Sequence, residues 1–538
     1  MSVSERNNVV GYLKTAAHRV PDRPALVLGG KRPTTVSFGA LWDRADRISV
    51  GLRANGLAAG DRAICMIPMS VDLYAALLGT LKMGAVAVFV DPWVGVRQIA
   101  AFSAYASPRA YLGVPKSHLV RLMDAKLRRI RLSVTTGGRL LGVPARLRLR
   151  DLDAYRGDGV AQAVPESESA LITFTTGSSG VPKGANRTHG FLSAQHRALS
   201  AAFAYEDEDI DMPMFPVFAL NNLAQGITSV VPDMDFRQVS EVDGGTIVAQ
   251  MLEHGVTTCT ASPPFFDRVT EYLSESVSER PLLRRVLTGG APVTDDQLRR
   301  WQAVLPDTEI VVVYGSTEAE PVAHIEASER FAVHQAAGTA ARGFCVGRPT
   351  SGVASKVIRI TDGPVDVAAD GWDAWTVEPG EIGELVVAGD HVCGDYYRNA
   401  EAVARNKIKN GETVWHRMGD TGYFDEDGRF WLVGRTHSTI HRDGLCVHPQ
   451  VVERVAAAGK DWQVAAVGCS DARLGQKVVL VVYPRGDRVE KPALKARLTA
   501  ASVVVDDIVV VDEALPVDAR HNVKIDYRAL RARLEGNV

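Results

Sequence analysis

The pattern of apolar and polar positions predicts alternating strands and helices from the start of the chain. The apolar run from Ala25 to Leu28 stops at a Gly-Gly pair, which is typical of a buried strand. Residues 38–57 carry apolar side chains at helical spacing. A second buried strand is predicted over 63–68, a helix over 74–83 and a third strand from 85. Strand, helix and strand in that order predict a parallel α/β layer.

A further apolar run, at Leu171, Ile172 and Phe174, leads into a loop of hydroxyl residues, glycines and one lysine. Glycine lets backbone amides approach an anion, hydroxyls add neutral donors, and lysine adds a mobile positive charge. The loop is not a Walker A loop, because Gly184 follows the lysine where Ser or Thr would stand. It predicts a polyphosphate site formed by Thr175, Thr176, Gly177, Ser178, Ser179 and Lys183.

With two threonines before it and Pro-Lys-Gly after it, this loop resembles the signature loop of the adenylate-forming superfamily. That superfamily includes acyl-CoA ligases, adenylation domains and luciferases. The resemblance extends over almost the whole chain. It implies a large α/β N-terminal domain over residues 1–436, with parallel sheets and a small β-rich subdomain, and a small mobile α+β C-terminal domain over 437–538.

A strand predicted over 310–313 carries the second strong motif at its end. The motif consists of Tyr314, Gly315, Ser316, Thr317 and Glu318. In this family the tyrosine gives adenine a flat surface and the threonine donates to the α-phosphate. The glutamate supplies the hard oxygen ligand that Mg²⁺ prefers. The resemblance therefore implies an ATP and magnesium site at this strand end.

Two other segments resemble the remaining parts of the nucleotide site. Asp420 matches the carboxylate that binds the ribose hydroxyls, and Arg435 matches the guanidinium that holds the ribose or phosphate. The turn formed by Gly289, Gly290 and Ala291 lets backbone approach a flat ligand, and in the family it flanks the adenine and the acyl pocket.

Lys524 matches the superfamily's catalytic lysine, which bridges the carboxylate, the α-phosphate and the ribose in the first half-reaction. His189 stands where family members also have a histidine, and either a capping or a catalytic role fits it. At the family's hinge position this chain has His437, without the usual charged residues. Gly444 matches the glycine turn of the loop that swings in for the thioester step.

The acyl pocket is predicted in a proline-punctuated apolar segment over 211–222. Phe218 matches the aromatic residue that gates the pocket, and Asn221 and Gly290 complete the predicted substrate contacts. This segment, together with residues 230–235, is most similar to bacterial synthetases that close long-chain 3-hydroxy acids to β-lactones. The length of the loop around Gly444 instead resembles acyl-CoA ligases.

The resemblance implies that ATP activates a hydrophobic carboxylic acid to acyl-AMP and that the acyl group passes to coenzyme A after the C-terminal domain rotates. Three alternatives stay open. The substrate's own 3-hydroxyl could attack to give a β-lactone, the chain could perform one half-reaction only, or it could bind acyl-adenylate without turnover. The sequence identifies neither the acid nor whether coenzyme A, a carrier-protein thiol or an internal hydroxyl is the final acceptor.

Composition narrows the classes of protein that fit. A formal net charge of −2 over 538 residues argues against a dedicated nucleic-acid binder. The six cysteines are widely scattered, with no CxxC pair, which predicts free thiols in a reducing cytoplasm and no zinc site. No apolar run reaches the roughly 18 residues that a membrane-spanning helix needs. The oligomeric state cannot be predicted from the sequence.

Overall fold

The computed structural model describes residues 8–30, 33–90, 99, 101–102, 105–138, 143, 145–176, 182–275, 279–338, 343–486, 488–517 and 525–536. Its strands form three sheets, with helices packed around them. The predicted α/β class is confirmed. The predicted division of the chain at residues 436 and 437 stays a prediction.

The largest sheet has fourteen strands in the described ranges. In spatial order they are Ala354–Ile358, Gly383–Ala388, Thr413–Phe424, Phe430–Arg435, Phe344–Pro349, Ala319–Glu326, Glu309–Ser316, Arg285–Gly289, Thr258–Ala261, Ile210–Pro213, Thr228–Val231, Pro24–Leu28 and Thr34–Ser37, and Lys407–Asn410 pairs with Thr413–Phe424. The strands from Glu309–Ser316 to Pro24–Leu28 are parallel to one another, and the pairs outside that stretch are antiparallel. The β-rich part is therefore hydrogen-bonded to the parallel part as one continuous sheet.

The second sheet is parallel except at one edge, where its last two strands form an antiparallel pair. Its order is Leu147–Arg148, Leu132–Thr135, Ala110–Gly113, Arg62–Met66, Val86–Phe89, Ser169–Thr176 and Pro182–Thr188. The third sheet comes from the last hundred residues. It contains Leu445–Val447, Ile440–Arg442, Gly475–Pro484, Trp462–Asp471 and Asp507–Val510.

The helices cover the faces of these sheets. The α-helices are Gly11–Arg19, Phe38–Ala54, Val71–Lys82, Ser117–Met123, Ala125–Arg128, Leu149–Leu152, His189–Ala202, Pro216–Gln225, Gly244–Glu253, Pro263–Glu275, Asp295–Val304, Ala327–Ala337, Val367–Asp370, Ala400–Asn406, Pro449–Ala457, Lys491–Ala500 and Tyr527–Leu534. Short 3-10 turns lie at Val239–Glu241 and Thr436–Ser438. Of the helices described, none has both the length and the apolar content to cross a bilayer.

The early elements agree with the apolar pattern, and local chemistry sets their ends. The helix predicted over 74–83 begins three residues earlier, at Val71, because the Ser70 hydroxyl accepts a hydrogen bond from the Leu73 amide and caps it. The helix predicted over 38–57 ends at Ala54, because Gly56 adopts a positive φ of 93° and stops it. For these two helices the predicted and observed boundaries differ where capping or a glycine, not periodicity, sets the end, and the strand predicted over 63–68 is observed at Arg62–Met66.

Candidate active site

A cleft of about 2570 Å³ is bordered by residues from all three sheets. Parallel strands present their carboxyl ends at one edge, and loops at that edge commonly bind ligands. Most of the predicted site residues that the structure describes line this cleft. They are Lys183, Phe218, Gly289, Gly290, Ala291, Tyr314, Gly315, Ser316, Thr317, Glu318, Asp420 and Arg435.

Tyr314, Asp420 and Arg435 form a hydrogen-bonded group on neighbouring parts of the large sheet. The Tyr314 hydroxyl donates to Oδ2 of Asp420 at 2.7 Å, and Nε of Arg435 lies 2.7 Å from Oδ1. Burial, reinforced by the adjacent carboxylate, raises the pKa of Tyr314 well above its ordinary value, so the phenol stays protonated. Each carboxylate oxygen has a second lone pair, so Asp420 can still accept two hydroxyl donors from a ribose.

Glu318 follows the strand Glu309–Ser316 and lies among groups that favour its charged form. Its Oε1 accepts a hydrogen bond of 2.9 Å from the Tyr396 hydroxyl. Burial acts to raise the pKa of Glu318, but His416, Lys407 and the Tyr396 hydrogen bond act against it, and the net shift is downward. The carboxylate is therefore ionised at neutral pH, as a metal ligand must be.

The sequence analysis assigned no role to Tyr396, Lys407 or His416, although all three surround Glu318. The Lys407 ammonium donates to the Cys393 carbonyl and lies 4.9 Å from the centre of the Tyr396 ring. These residues come from the β-rich part, about 80 to 100 positions after Glu318. Neither the spacing nor the type of these residues links them to a carboxylate so far away in the sequence.

Lys183 lies beside the same group. Its ammonium donates to Oδ1 of Asn406 at 3.0 Å and lies 5.8 Å from the centre of the Tyr396 ring. Burial lowers the pKa of Lys183, an effect that Glu318 partly opposes. The predicted phosphate lysine and the predicted metal ligand therefore face one region of the cleft.

The glycine turn after the strand Arg285–Gly289 is shaped by close backbone packing. A Cβ on Gly289 would lie 2.4 Å from the Val313 carbonyl oxygen, closer than any real side chain comes. Gly290 adopts a φ of 78°, which favours glycine, and a Cβ there would lie 3.6 Å from Cζ of Phe215. The turn therefore packs against the neighbouring strand so closely that Gly289 has no room for a side chain.

Aromatic side chains line the cleft beside this turn. Phe218 lies on the helix Pro216–Gln225 and is 4% exposed, and its ring centre lies 6.2 Å from that of Phe215. Both pack in an apolar cluster with Leu287 and Val313. This wall suits a hydrophobic acyl group. Asn221, the other predicted contact on this helix, is not part of the described cleft lining and instead pairs with His196 at 2.8 Å.

His189 and Gly444 do not line the cleft as described. His189 is fully buried at the start of its helix, and its Nδ1 accepts a hydrogen bond of 3.2 Å from the Val9 amide. Burial lowers the pKa of His189 to about 4, so the ring is neutral. Gly444 lies in the exposed turn between Ile440–Arg442 and Leu445–Val447.

Part of the predicted phosphate loop and the predicted catalytic lysine lie outside the described residues. They are Gly177, Ser178, Ser179 and Lys524. Thr175 and Thr176 end the strand Ser169–Thr176, and their backbones pair with Lys183 and Pro182.

The donors in the cleft fit Mg²⁺ bound together with a phosphate ligand. In the ranges that the structure covers, no three His, Cys, Asp or Glu side chains come together as a metal cage. Mg²⁺ usually keeps several waters and binds through one or two carboxylates plus substrate phosphates. Glu318 supplies one such carboxylate, and Lys183 lies close enough to neutralise an adjacent phosphate.

The comparisons with protein families, with known protein sequences and with solved structures agree with one another. The sequence model of a family described as AMP-binding enzyme matches residues 13–397. An olefin beta-lactone synthetase of Stenotrophomonas maltophilia (strain K279a) is 32% identical over 545 residues, covering 97% of each chain. A feruloyl-CoA synthase of Amycolatopsis sp. is 28% identical and covers 92% of each chain. O-succinylbenzoate coenzyme A synthetase of Bacillus subtilis, in complex with ATP and magnesium ion, has a similar fold, with a TM-score of 0.76, 18% identity and coverage of 97% of this chain and 99% of that one.

Proposed function

Because this chain belongs to the AMP-binding enzyme family and is an ATP-dependent, adenylate-forming acid ligase, we propose that it converts a hydrophobic 3-hydroxy acid into a β-lactone through an acyl-AMP. The observation that carries this proposal is the 32% identity to an olefin beta-lactone synthetase over 97% of both chains. The sequence analysis placed transfer to coenzyme A first and ring closure second. The higher identity to the β-lactone synthetase supports the reverse order, which we propose here.

In the first half-reaction, an oxygen of the acid's carboxylate attacks the α-phosphorus of ATP, and the bond to pyrophosphate breaks. Asp420 and Arg435 would hold the ribose, while Tyr314 and the turn at Gly289 and Gly290 would border adenine. Lys183 and the loop hydroxyls would bind the departing phosphates. Glu318 would hold Mg²⁺, which supplies charge neutralisation at the phosphates. A solved structure of similar fold is in complex with ATP and magnesium ion, which supports these two ligands but assigns no residue.

In the second half-reaction, the 3-hydroxyl oxygen of the bound acyl group forms a bond to the acyl carbonyl carbon. The bond from that carbon to the phosphate oxygen of AMP breaks, AMP leaves with the electron pair, and the hydroxyl proton passes to solvent. Both reacting atoms belong to one molecule, so the enzyme needs only to hold the chain in a bent conformation. The aromatic wall at Phe215 and Phe218 would hold the alkyl part.

Transfer of the acyl group to coenzyme A is the second candidate. It is supported by the feruloyl-CoA synthase relative and by the length of the loop around Gly444. In that case the C-terminal part, from residue 437 onward, would rotate and bring Lys524 away from the site and the Gly444 loop towards it. A carrier-protein thiol could replace coenzyme A in the same step.

A cytoplasmic location also remains a proposal. The six cysteines are free thiols, five of them buried and Cys446 exposed. Unpaired thiols are typical of proteins in a reducing compartment.

The decisive experiment supplies ATP, Mg²⁺ and a series of 3-hydroxy acids of different chain length, with and without coenzyme A, and identifies products by mass spectrometry. We expect AMP and a product that has lost water relative to the acid, formed equally in both conditions. Matched acids without the hydroxyl should give acyl-AMP and no lactone. A thioester as the sole product, formed only with coenzyme A, would establish the second candidate instead.

A further inference from the structure

The carboxylate of Glu318 is oriented by a donor that carries no charge. The Tyr396 hydroxyl donates to its Oε1 at 2.9 Å. Lys183 and Lys407 act on the carboxylate through their charge, yet neither forms an ion pair with it within the described part of the chain. A phenol is protonated at neutral pH, so it orients the carboxylate without compensating its negative charge. A carboxylate held in this way keeps its charge for a bound cation.

Tyr396 is itself held against the strand that carries Lys183. It is 2% exposed, and a backbone bridge pairs it with Ala185. The amide of Tyr397 donates to the Gly184 carbonyl at 2.8 Å, which fixes the same stretch of main chain. The centre of the Tyr396 ring lies 5.8 Å from the Lys183 ammonium. One residue therefore lies beside both the proposed metal ligand and the proposed phosphate lysine.

The main chain of Glu318 is fixed by the segment that contains Tyr396. The Cys393 amide donates to the Glu318 carbonyl at 2.6 Å, and a backbone bridge pairs Ala319 with Val392. Phenylalanine in place of Tyr396 would leave these backbone contacts and the aromatic ring in place. It would remove only the donor to Oε1, so the orientation of the carboxylate can be tested separately from the fold.

We infer that Tyr396 is a positioning residue for the metal ligand. Its hydroxyl holds Oε1 of Glu318 and so fixes the direction in which the carboxylate presents its remaining lone pairs to Mg²⁺. Carboxylates that bind metals are commonly hydrogen-bonded by surrounding groups, and loss of such a partner typically weakens metal binding by about 10- to 100-fold. This inference rests on the magnesium role proposed above for Glu318 and does not depend on which acceptor takes the acyl group.

The test measures binding, without turnover, in the full-length protein. Isothermal titration calorimetry gives the dissociation constant of α,β-methylene-ATP once with Mg²⁺ and once with EDTA. The ratio of the two constants reports how much the metal strengthens nucleotide binding. Thermal unfolding of each variant reports whether the fold is intact.

Three variants separate the roles. Tyr396→Phe removes the donor, and Glu318→Gln removes the ligand itself. Tyr397→Phe is the matched control, because it makes the same chemical change at the next residue, whose side chain packs against the apolar cluster around Phe102 and Phe174.

We expect Tyr396→Phe to reduce the ratio by about tenfold or more, to bind the analogue in EDTA within about twofold of the wild type, and to unfold at a similar midpoint. Tyr397→Phe should match the wild type in all three measurements, and Glu318→Gln should lose most of the ratio.

A wild-type ratio in Tyr396→Phe, together with a reduced ratio in Glu318→Gln, would overturn the role of Tyr396 and leave Glu318 as the ligand. Binding that weakens equally with and without the metal would give Tyr396 a structural role and also overturn the inference. A wild-type ratio in Glu318→Gln would remove Glu318 from the proposed metal site, and this inference with it.

Discussion

Nε of Arg435 lies 2.7 Å from Oδ1 of Asp420, and the two residues are direct partners across an antiparallel strand pair. The Tyr314 hydroxyl donates to the other carboxylate oxygen from the strand Glu309–Ser316. Three residues separated by up to 121 positions thus orient one carboxylate. A carboxylate held on both oxygens offers its remaining lone pairs in fixed directions, which favours recognition of a vicinal diol such as ribose.

Replacing Asp420 by Asn should raise the KM for ATP more than it raises the KM for the acid. The substitution removes the charge that pairs with Arg435 and puts a donor where the ribose hydroxyls need an acceptor. A hydrogen bond to a charged group contributes about 1.5–3 kcal/mol, so the KM for ATP in pyrophosphate exchange should rise by about 10- to 100-fold. Asp390→Asn, at an exposed position, is the control. An unchanged KM for ATP would remove Asp420 from the nucleotide site.

Lys524→Ala should slow acid activation strongly while leaving the fold intact. The predicted role of Lys524 is to neutralise charge at the α-phosphate as the carboxylate attacks, and such electrostatic contributions are about 100- to 1000-fold in rate. Pyrophosphate exchange should fall by that factor. Lys495→Ala, on the exposed side of the helix Lys491–Ala500, should exchange at the wild-type rate. If exchange in Lys524→Ala equals that of the wild type, the assignment is wrong.

Gly289→Ala should destabilise the protein and impair the site. The added methyl would meet the Val313 carbonyl oxygen at 2.4 Å, a backbone atom that cannot move without shifting the neighbouring strand. Overpacking of this kind costs about 1–3 kcal/mol. Thermal unfolding should show a lower midpoint than for Gly138→Ala, where no atom lies within 4 Å of the new Cβ. Equal midpoints for the two variants would contradict the close packing described above.

Glu453 should make the stability of the enzyme depend on pH. Burial raises its pKa from the ordinary value of 4.5 to about 7, although the Ala466 amide and the Tyr527 hydroxyl both donate to it and act in the opposite direction. The folded state therefore binds more protons than the unfolded state between these values. The contribution to stability is full below pH 4.5 and is lost as the pH rises through about 7.

Glu453→Gln removes that titration, because an amide does not ionise. The amide oxygen can still accept hydrogen bonds from both donors. The wild type should therefore lose stability relative to Glu453→Gln, on the order of 1–3 kcal/mol, between about pH 5 and pH 8. Thermal unfolding of both proteins across that range measures the difference. A constant difference at all pH values would show that Glu453 has the same pKa in both states.

The local parts of the site were predictable because each lies at a strand end. Tyr314 and Glu318 follow a buried run, and a change from apolar to polar residues at such a point marks the ligand-binding edge of a parallel sheet. Glycine content likewise located the turn at Gly289. These signals depend only on residues that are close in sequence. Apolar periodicity and residue type carry information about structure only over that range.

The contacts between distant segments were not predictable. Tyr396 and Lys407 reach Glu318 only because the antiparallel part of the large sheet folds beside the strand Ala319–Glu326, and no periodicity encodes that approach. His189 illustrates the opposite case. Its position in the motif left a capping and a catalytic role open, and only the structure shows its burial and the hydrogen bond from the Val9 amide, which favour packing.

Cys446 is the one exposed thiol among the six cysteines, and it lies on the strand Leu445–Val447 immediately after Gly444. A maleimide fluorophore would consequently attach at a single point of the natural sequence, on the hairpin whose displacement distinguishes the two candidate second steps. The fluorescence of this label during turnover would report whether that hairpin moves. No cysteine would have to be introduced for the measurement.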